Sequence, residues 1–349
     1  MFTDNIVYKK EANENFIFKN KIFKYNTNER FLTDFEKFNK EVINSFYEIH
    51  GESQFFVTAD QKKISSKVFT NVNAKAVVIL VTGYNESFYK YDELIFDLWN
   101  ENYSVFTYDH RGQGYSDRIS TKNDAVYVDK FQDIIDDLAF FYHNTVLKSV
   151  SSDAPVFCLA HSMGGLILLS AVLQKKIAPK GIILASPMLK IALPIPTFLA
   201  LMVARLMRFL GKGKDYAFAQ KPCIPLLPFE TNDVTHSLKR FIHWRNKISK
   251  NVEMQLGGPT FGWLAESIEA TLWLDNFKAP INIPTIILQA QNDTVVENQA
   301  QNEFYTTQKI LHSPVELLKY PRAKHELFLE IDEIRSQAIQ DVINFIEQF

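Results

Sequence analysis

Cysteine is scarce: Cys158 and Cys223 are the only two in 349 residues. One pair cannot build a disulfide framework, so the fold has to rest on its core, and a reducing compartment fits best. Charge of one sign is lacking too. Thirty-eight Lys and Arg stand against 40 Asp and Glu, a formal net charge of -2. The basic residues are scattered, so no field exists to neutralise phosphates, and a nucleic-acid partner is not expected. Residues 1–5 carry neither the basic flank nor the apolar run of a signal peptide. No grouping of His, Cys and Asp has metal-ligand spacing. Neither a metal nor a cofactor is expected. Internal repeats and low-complexity tracts are missing as well.

A membrane span is the one absence that needs argument. Residues 191–210 are the most apolar stretch, and a spanning helix takes roughly 20 apolar residues. Pro194 and Pro196 sit at its front, and Arg205 and Arg208 lie inside it. The stretch reads as an amphipathic or buried helix near a surface, and the chain as a soluble one.

What is present is ordinary for a globular protein: 46% hydrophobic and 22% charged residues. The length allows one large domain or two modest ones. A short extended pair, Phe55-Phe56-Val57 and Val68-Phe69-Thr70, flanks a polar turn at Asp60-Gln61. Val77-Val78-Ile79-Leu80-Val81 then forms a continuous apolar, β-branched run, as expected of a strand buried on both faces of a parallel sheet. Similar runs recur at residues 105–108, 156–159, 182–184, 285–288 and 315–318. Helical spacing separates them, at 91–99, 131–146, 163–174, 297–308 and 333–349. This alternation predicts an α/β fold with a doubly wound, mostly parallel sheet. It lapses between about 189 and 277, where no strand is convincing. The expected organisation is a core of residues 1–188 and 278–349, interrupted by an all-helical cap at 189–277.

One motif carries chemistry. Ala160-His161-Ser162-Met163-Gly164-Gly165 follows an apolar strand and opens a helix. A serine at such an apex is held in a strained turn that lifts its hydroxyl above the sheet, and small neighbours let the turn pack backbone on backbone. Alanine replaces the usual first glycine. Helix capping by Ser162 alone would leave Gly164 and Gly165 unexplained, since glycine early in a helix is costly. The Met163 amide lies at the helix start, where it can donate to an oxyanion. A second donor is expected from the Tyr84 amide, in the loop Thr82-Gly83-Tyr84 after the first buried strand. The loop Tyr108-Asp109-His110-Arg111-Gly112-Gln113-Gly114-Tyr115-Ser116 lacks the third glycine and the lysine of a phosphate loop. It reads as support for the site's rim, with His110 not catalytic.

A serine hydroxyl needs a base, and the base needs an acid. In the α/β-hydrolase arrangement the chain order is serine, acid, histidine, each in a loop after a strand. Asp293 follows the run at 285–288, whereas its rival Asp275 precedes it. Of eight histidines, only His325 has both the order and the post-strand context. The expected triad is therefore Ser162, Asp293 and His325.

With these residues in place the chain resembles the bacterial lysophospholipase and monoglyceride lipase family of serine α/β-hydrolases. The likeness runs from about Phe55 to the end. It rests on Glu86-Ser87 with Tyr91, on Asp109-His110-Arg111-Gly112-Gln113-Gly114, on the serine motif, on Asn292-Asp293 and on Lys324-His325-Glu326. Ala160 and Thr82 are similar to the lysophospholipase branch, as is Gly257-Gly258-Pro259-Thr260-Phe261-Gly262-Trp263 with Glu266-Ser267. The resemblance implies cofactor-free hydrolysis of a lysophospholipid acyl ester. It also implies a cytoplasmic location, with peripheral contact through the cap on the cytoplasmic face of the membrane. A monoacylglycerol substrate, a general carboxylesterase or an acyltransferase would use the same triad. A non-catalytic lipid-binding protein would have no need of all three residues. Arg205 and Arg208, beside Leu206, Met207 and Phe209, could meet lipid phosphates or form a solvated face.

Overall fold

Six of the apolar runs pair side by side, joined at one edge by the antiparallel pair that precedes them. The computed structural model describes residues 15–18, 21–24, 32–120 and 124–349, so the reading of residues 1–5 lies outside the described residues. β1 (Asn15–Phe18) pairs antiparallel with β2 (Lys21–Lys24) apart from the main sheet. The main sheet contains β3 (Gly51–Val57), β4 (Lys63–Phe69), β5 (Ala76–Val81), β6 (Tyr103–Tyr108) and β7 (Val156–His161). It continues with β8 (Gly181–Ala185), β9 (Thr285–Ala290) and β10 (Val315–Tyr320). The order is β10-β9-β8-β7-β5-β6-β4-β3, with β5 to β10 parallel and β3 and β4 antiparallel.

Every residue of β5 to β9 is buried, which is why these runs show no polar alternation. Successive side chains enter opposite cores. Val77, Ile79 and Val81 pack beneath the helices Phe131–Phe141 and Met163–Leu173. Val78 and Leu80 face the helices Asn44–His50, Asp92–Asn100 and Asp332–Ile346. The expected helix at 131–146 changes to a π-turn over Tyr142–Val146. The chain crosses from β5 to β6 and then back to β7 on the far side of β5. This reversal opens a crevice beyond the carboxyl ends of β5 and β7.

Three helices lie between β8 and β9: Thr197–Phe209, Leu238–Lys250 and Phe261–Asn276. The first packs on the third through Ala200, Leu201 and Ala204 against Phe261, Ala265 and Ile268. The segment is not all helix, however. Residues 210–237 hold only a 3-10 turn at Phe229–Thr231, because Pro222, Pro225 and Pro228 each remove a helical donor. This irregular stretch is tied down over the crevice. The Glu326 amide donates to the Val234 carbonyl, and the Thr235 hydroxyl donates to Leu329 at 2.7 Å. Buried Arg240 holds Glu93 and Asp332 together. Among the described residues, no helix is long and apolar enough to cross a membrane.

Candidate active site

β7 runs into Ser162, whose backbone turns into the left-handed region at φ 51° and ψ -117°. A non-glycine residue there is strained, and the surroundings must hold it. They do so at both ends of the residue. The Ser162 amide donates to Ala185 on β8, and its carbonyl accepts from Gly165 and Met188. Gly164 is required for space, since a Cβ there would stand 2.4 Å from the Val81 carbonyl and 2.5 Å from that of Thr82. The serine turn and the loop after β5 thus press together backbone to backbone.

The three residues expected to cooperate meet over this turn. His325 Nε2 lies 3.0 Å from Ser162 Oγ, and His325 Nδ1 lies 2.7 Å from Asp293 Oδ2. The other Asp293 oxygen accepts from the amides of Val295 and Val296 at 2.8 and 3.1 Å. Burial alone would raise the Asp293 carboxyl. The hydrogen bond and charge of His325, with the two amides, hold it below the usual carboxylate range instead. The loops bearing acid and base are stitched by the Asn292 amide, which donates to Ala323. Ser162 and His325 are each nearly buried, at 6% and 4% exposure. The proton path from serine to carboxylate is therefore complete and largely screened from water.

The Tyr84 loop lies alongside. Its phenol donates to the Gly257 carbonyl at 3.0 Å, and its ring leans on Trp263 with centroids 4.3 Å apart. These contacts fix the orientation of the Tyr84 backbone. Among the described residues, neither the Tyr84 amide nor the Met163 amide donates to another protein group. One lies at the serine turn and the other on the loop pressed against it. From below, His110 Nε2 meets the Thr82 carbonyl at 2.8 Å and pins the same loop. Burial pushes His110 down to about 4, so it is neutral. Asp109 accepts from Ser87, Phe88 and Tyr115, while burial pushes its carboxyl up to about 7.

Sequence reasoning missed a buried cluster directly behind His325. Glu86 accepts from Lys90 at 2.7 Å, Tyr91 at 2.8 Å and the Gly83 amide, and Lys90 also donates to Glu326. His161 Nδ1 is 3.1 Å from Glu86, and its Nε2 is 3.3 Å from the His325 carbonyl. Both ring nitrogens face acceptors, which fits an imidazolium. Burial works against that charge, but Glu326 and Glu86 outweigh it and raise the His161 pKa. Glu86, Glu326, Lys90 and His161 then sum to zero charge. Among the described residues, Glu86, His161 and Glu326 are the trio close enough to share a metal ion. Lys90 already sits against both carboxylates and supplies the positive charge a metal would bring.

A cavity of about 420 Å³ opens onto Ser162 and His325. Met188, Ile191, Phe241, Trp244, Trp263 and Val295 give it apolar walls, and residues 231–235 give it a polar end. The two arginines considered for phosphate contact do not reach it. Arg205 pairs with Glu269 and Arg208 with Glu266.

The chain is similar over most of its length to known proteins. A family model described as serine aminopeptidase, S33, matches residues 72–332. The chain is 29% identical to lysophospholipase L2 of Escherichia coli strain K12 over 317 residues, covering 90% of this chain and 92% of that protein. It is 33% identical to the probable lysophospholipase L2 of Haemophilus influenzae over 274 residues, covering 78% and 84%. Among solved structures, a soluble variant of monoglyceride lipase from Saccharomyces cerevisiae superposes with a TM-score of 0.68. That pair is 21% identical, with 85% of this chain and 94% of the other covered.

Proposed function

The chain belongs to the serine aminopeptidase S33 family of hydrolases, and from that premise we propose that it is a lysophospholipase working through an acyl-enzyme on Ser162. The observation that carries this reading is the hydroxyl–imidazole–carboxylate relay at the floor of an apolar cavity. His325 takes the Ser162 proton as the hydroxyl attacks the ester carbonyl. The oxyanion forms beside the Met163 and Tyr84 amides, each worth on the order of 3 kcal/mol in such a role. The glycerophospho-alcohol leaves with the proton from His325, and water, activated by the same imidazole, releases the fatty acid. Residues 189–277 act as the cap over a core made of residues 1–188 and 278–349.

Fatty-acid release from lysophosphatidylethanolamine and from a monoacylglycerol of matched chain length tests the substrate assignment. Faster release from the lysophospholipid is the expected result. A preference for the monoacylglycerol would move the enzyme to neutral lipids with the same triad, and turnover of neither would sink the lipid-esterase reading.

The cap also suits peripheral contact with a membrane. Phe198, Met202, Leu206 and Phe209 recur at helical spacing on Thr197–Phe209 and are 73%, 58%, 54% and 87% exposed. An apolar face of this kind binds an interface in proportion to the area it buries. The double substitution Phe198→Glu with Phe209→Glu is expected to weaken sedimentation with phosphatidylethanolamine–phosphatidylglycerol vesicles by at least about tenfold. Unchanged sedimentation would remove this face as the contact.

A further inference from the structure

The lining of the active-site cavity contains a charge that the mechanism above does not use. Eight arginines fall among the described residues, and six of them hold a carboxylate within 4.0 Å. Arg118 donates to the Glu253 carbonyl. Arg245 is different. It lines the cavity that opens onto Ser162, and no hydrogen bond or ion pair to a described residue satisfies its guanidinium. Its Nε is buried without a partner. Burial lowers its pKa from the ordinary guanidinium value and Cys223 opposes this only in part, so the site bears a desolvation cost. A half-buried guanidinium left this way is stabilised when an anion arrives.

The neighbouring charges favour one kind of anion. Glu86 and Glu326 also line the cavity, but Lys90 bridges them and His161 faces both. They therefore present little net field to a ligand. Asp233 lines the same cavity, is exposed, and has no cationic partner among the described residues. The cavity thus offers apolar walls, a nucleophile, an unpaired cation and an unpaired carboxylate. An acyl glycerol carrying a phosphodiester and then an amine presents the complementary sequence of groups.

We propose that Arg245 binds the phosphodiester of the substrate headgroup, with Asp233 facing the headgroup amine, and so selects lysophospholipids over monoacylglycerols. This rests on the lipid-esterase reading and names the residues that give it a headgroup preference. Arg245 is a specificity residue and takes no part in bond making. Its helix, Leu238–Lys250, is fixed to the core by Arg240, so the backbone that carries Arg245 is held in place beside the cavity.

The test reads competitive inhibition of nitrophenyl butyrate hydrolysis by glycerophosphoethanolamine, in wild type, Arg245→Gln, Arg245→Lys and Asp233→Asn. KI is obtained from whatever turnover each protein retains. In Arg245→Gln it is expected to rise about 10- to 100-fold, the usual span for a lost charge-assisted hydrogen bond. Arg245→Lys keeps the charge without the fork and is expected to fall between. Asp233→Asn is expected to raise KI for glycerophosphoethanolamine but not for glycerol 3-phosphate. An unchanged KI in Arg245→Gln, or a wild type that glycerophosphoethanolamine does not inhibit, overturns the proposal. Inorganic phosphate competing as strongly as the headgroup would also overturn it, by making this a free-anion site. Hydrolysis of lysophosphatidylethanolamine, run in parallel on wild type, tests the lysophospholipase reading separately, because the KI comparison does not depend on it.

Discussion

Ser162→Ala is expected to lower kcat on every ester substrate by on the order of 10⁶, the scale seen when the nucleophile of such a relay is removed. The substitution deletes one oxygen and leaves the rest of the constellation standing. His325 keeps Asp293 at 2.7 Å, and the backbone bonds that hold residue 162 at positive φ involve no side-chain atom. The melting temperature should therefore stay close to that of wild type, which separates a chemical loss from an unfolded protein. Covalent labelling by a fluorophosphonate should disappear in the same variant, because the reagent reports the activated oxygen itself. Single-turnover kinetics and labelling check the two together. Turnover within tenfold of wild type, or labelling that persists, would remove Ser162 from the mechanism.

The sheet and the meeting of Ser162, Asp293 and His325 were legible for a shared reason. Strands β5 to β9 are buried on both faces, so their sequences are mostly apolar and stand out from the helices between them. Ser162 and Asp293 each stand in the loop that follows such a strand, and His325 in the loop after the half-exposed β10, where the fold places chemistry. The cluster of Glu86, Lys90, His161 and Glu326 was not legible. Glu86, His161 and Glu326 each belong to a motif that carries the resemblance, but they come from three distant segments, and nothing in the sequence brings them together around Lys90. Arg245 was hidden in the same way. Lys239, Arg240, Lys247 and Lys250 share its helix, which looks like a basic outer face until the fold places Arg245 in the lining of the cavity. The helices before β3 carried a signal that went unread. Phe35, Phe38, Val42, Ile43, Phe46 and Tyr47 recur at helical spacing, and all are buried. The expected all-helical cap holds three α-helices but is interrupted over residues 210–237, where Pro222, Pro225 and Pro228 each remove a helical donor.

Asp293→Asn is expected to cost about 10⁴ in kcat, with KM little changed, and the structure supplies the reason for a loss so large from so small an edit. Asp293 Oδ1 accepts from the Val295 and Val296 amides. In the asparagine variant those two donors claim the amide oxygen, and the NH₂ group is left facing His325 Nδ1. That nitrogen must then accept, so the imidazole proton moves to Nε2 and points at Ser162 Oγ, 3.0 Å away. A histidine protonated there cannot take the serine proton. Fluorophosphonate labelling should slow in parallel with kcat, because it needs the same base, and binding of a substrate analogue should be unaffected. The hydrogen bond between Asp293 and His325 has a stability consequence of definite sign. The folded Asp293 pKa is depressed, so its contribution is present above the ordinary carboxylate value of 3.8 and is lost as pH falls through the folded value. Denaturant melts of wild type and variant should therefore differ at pH 7 and converge below pH 3.8. A kcat loss under tenfold would show that Asp293 does not set the tautomer, and the acid would have to be sought elsewhere.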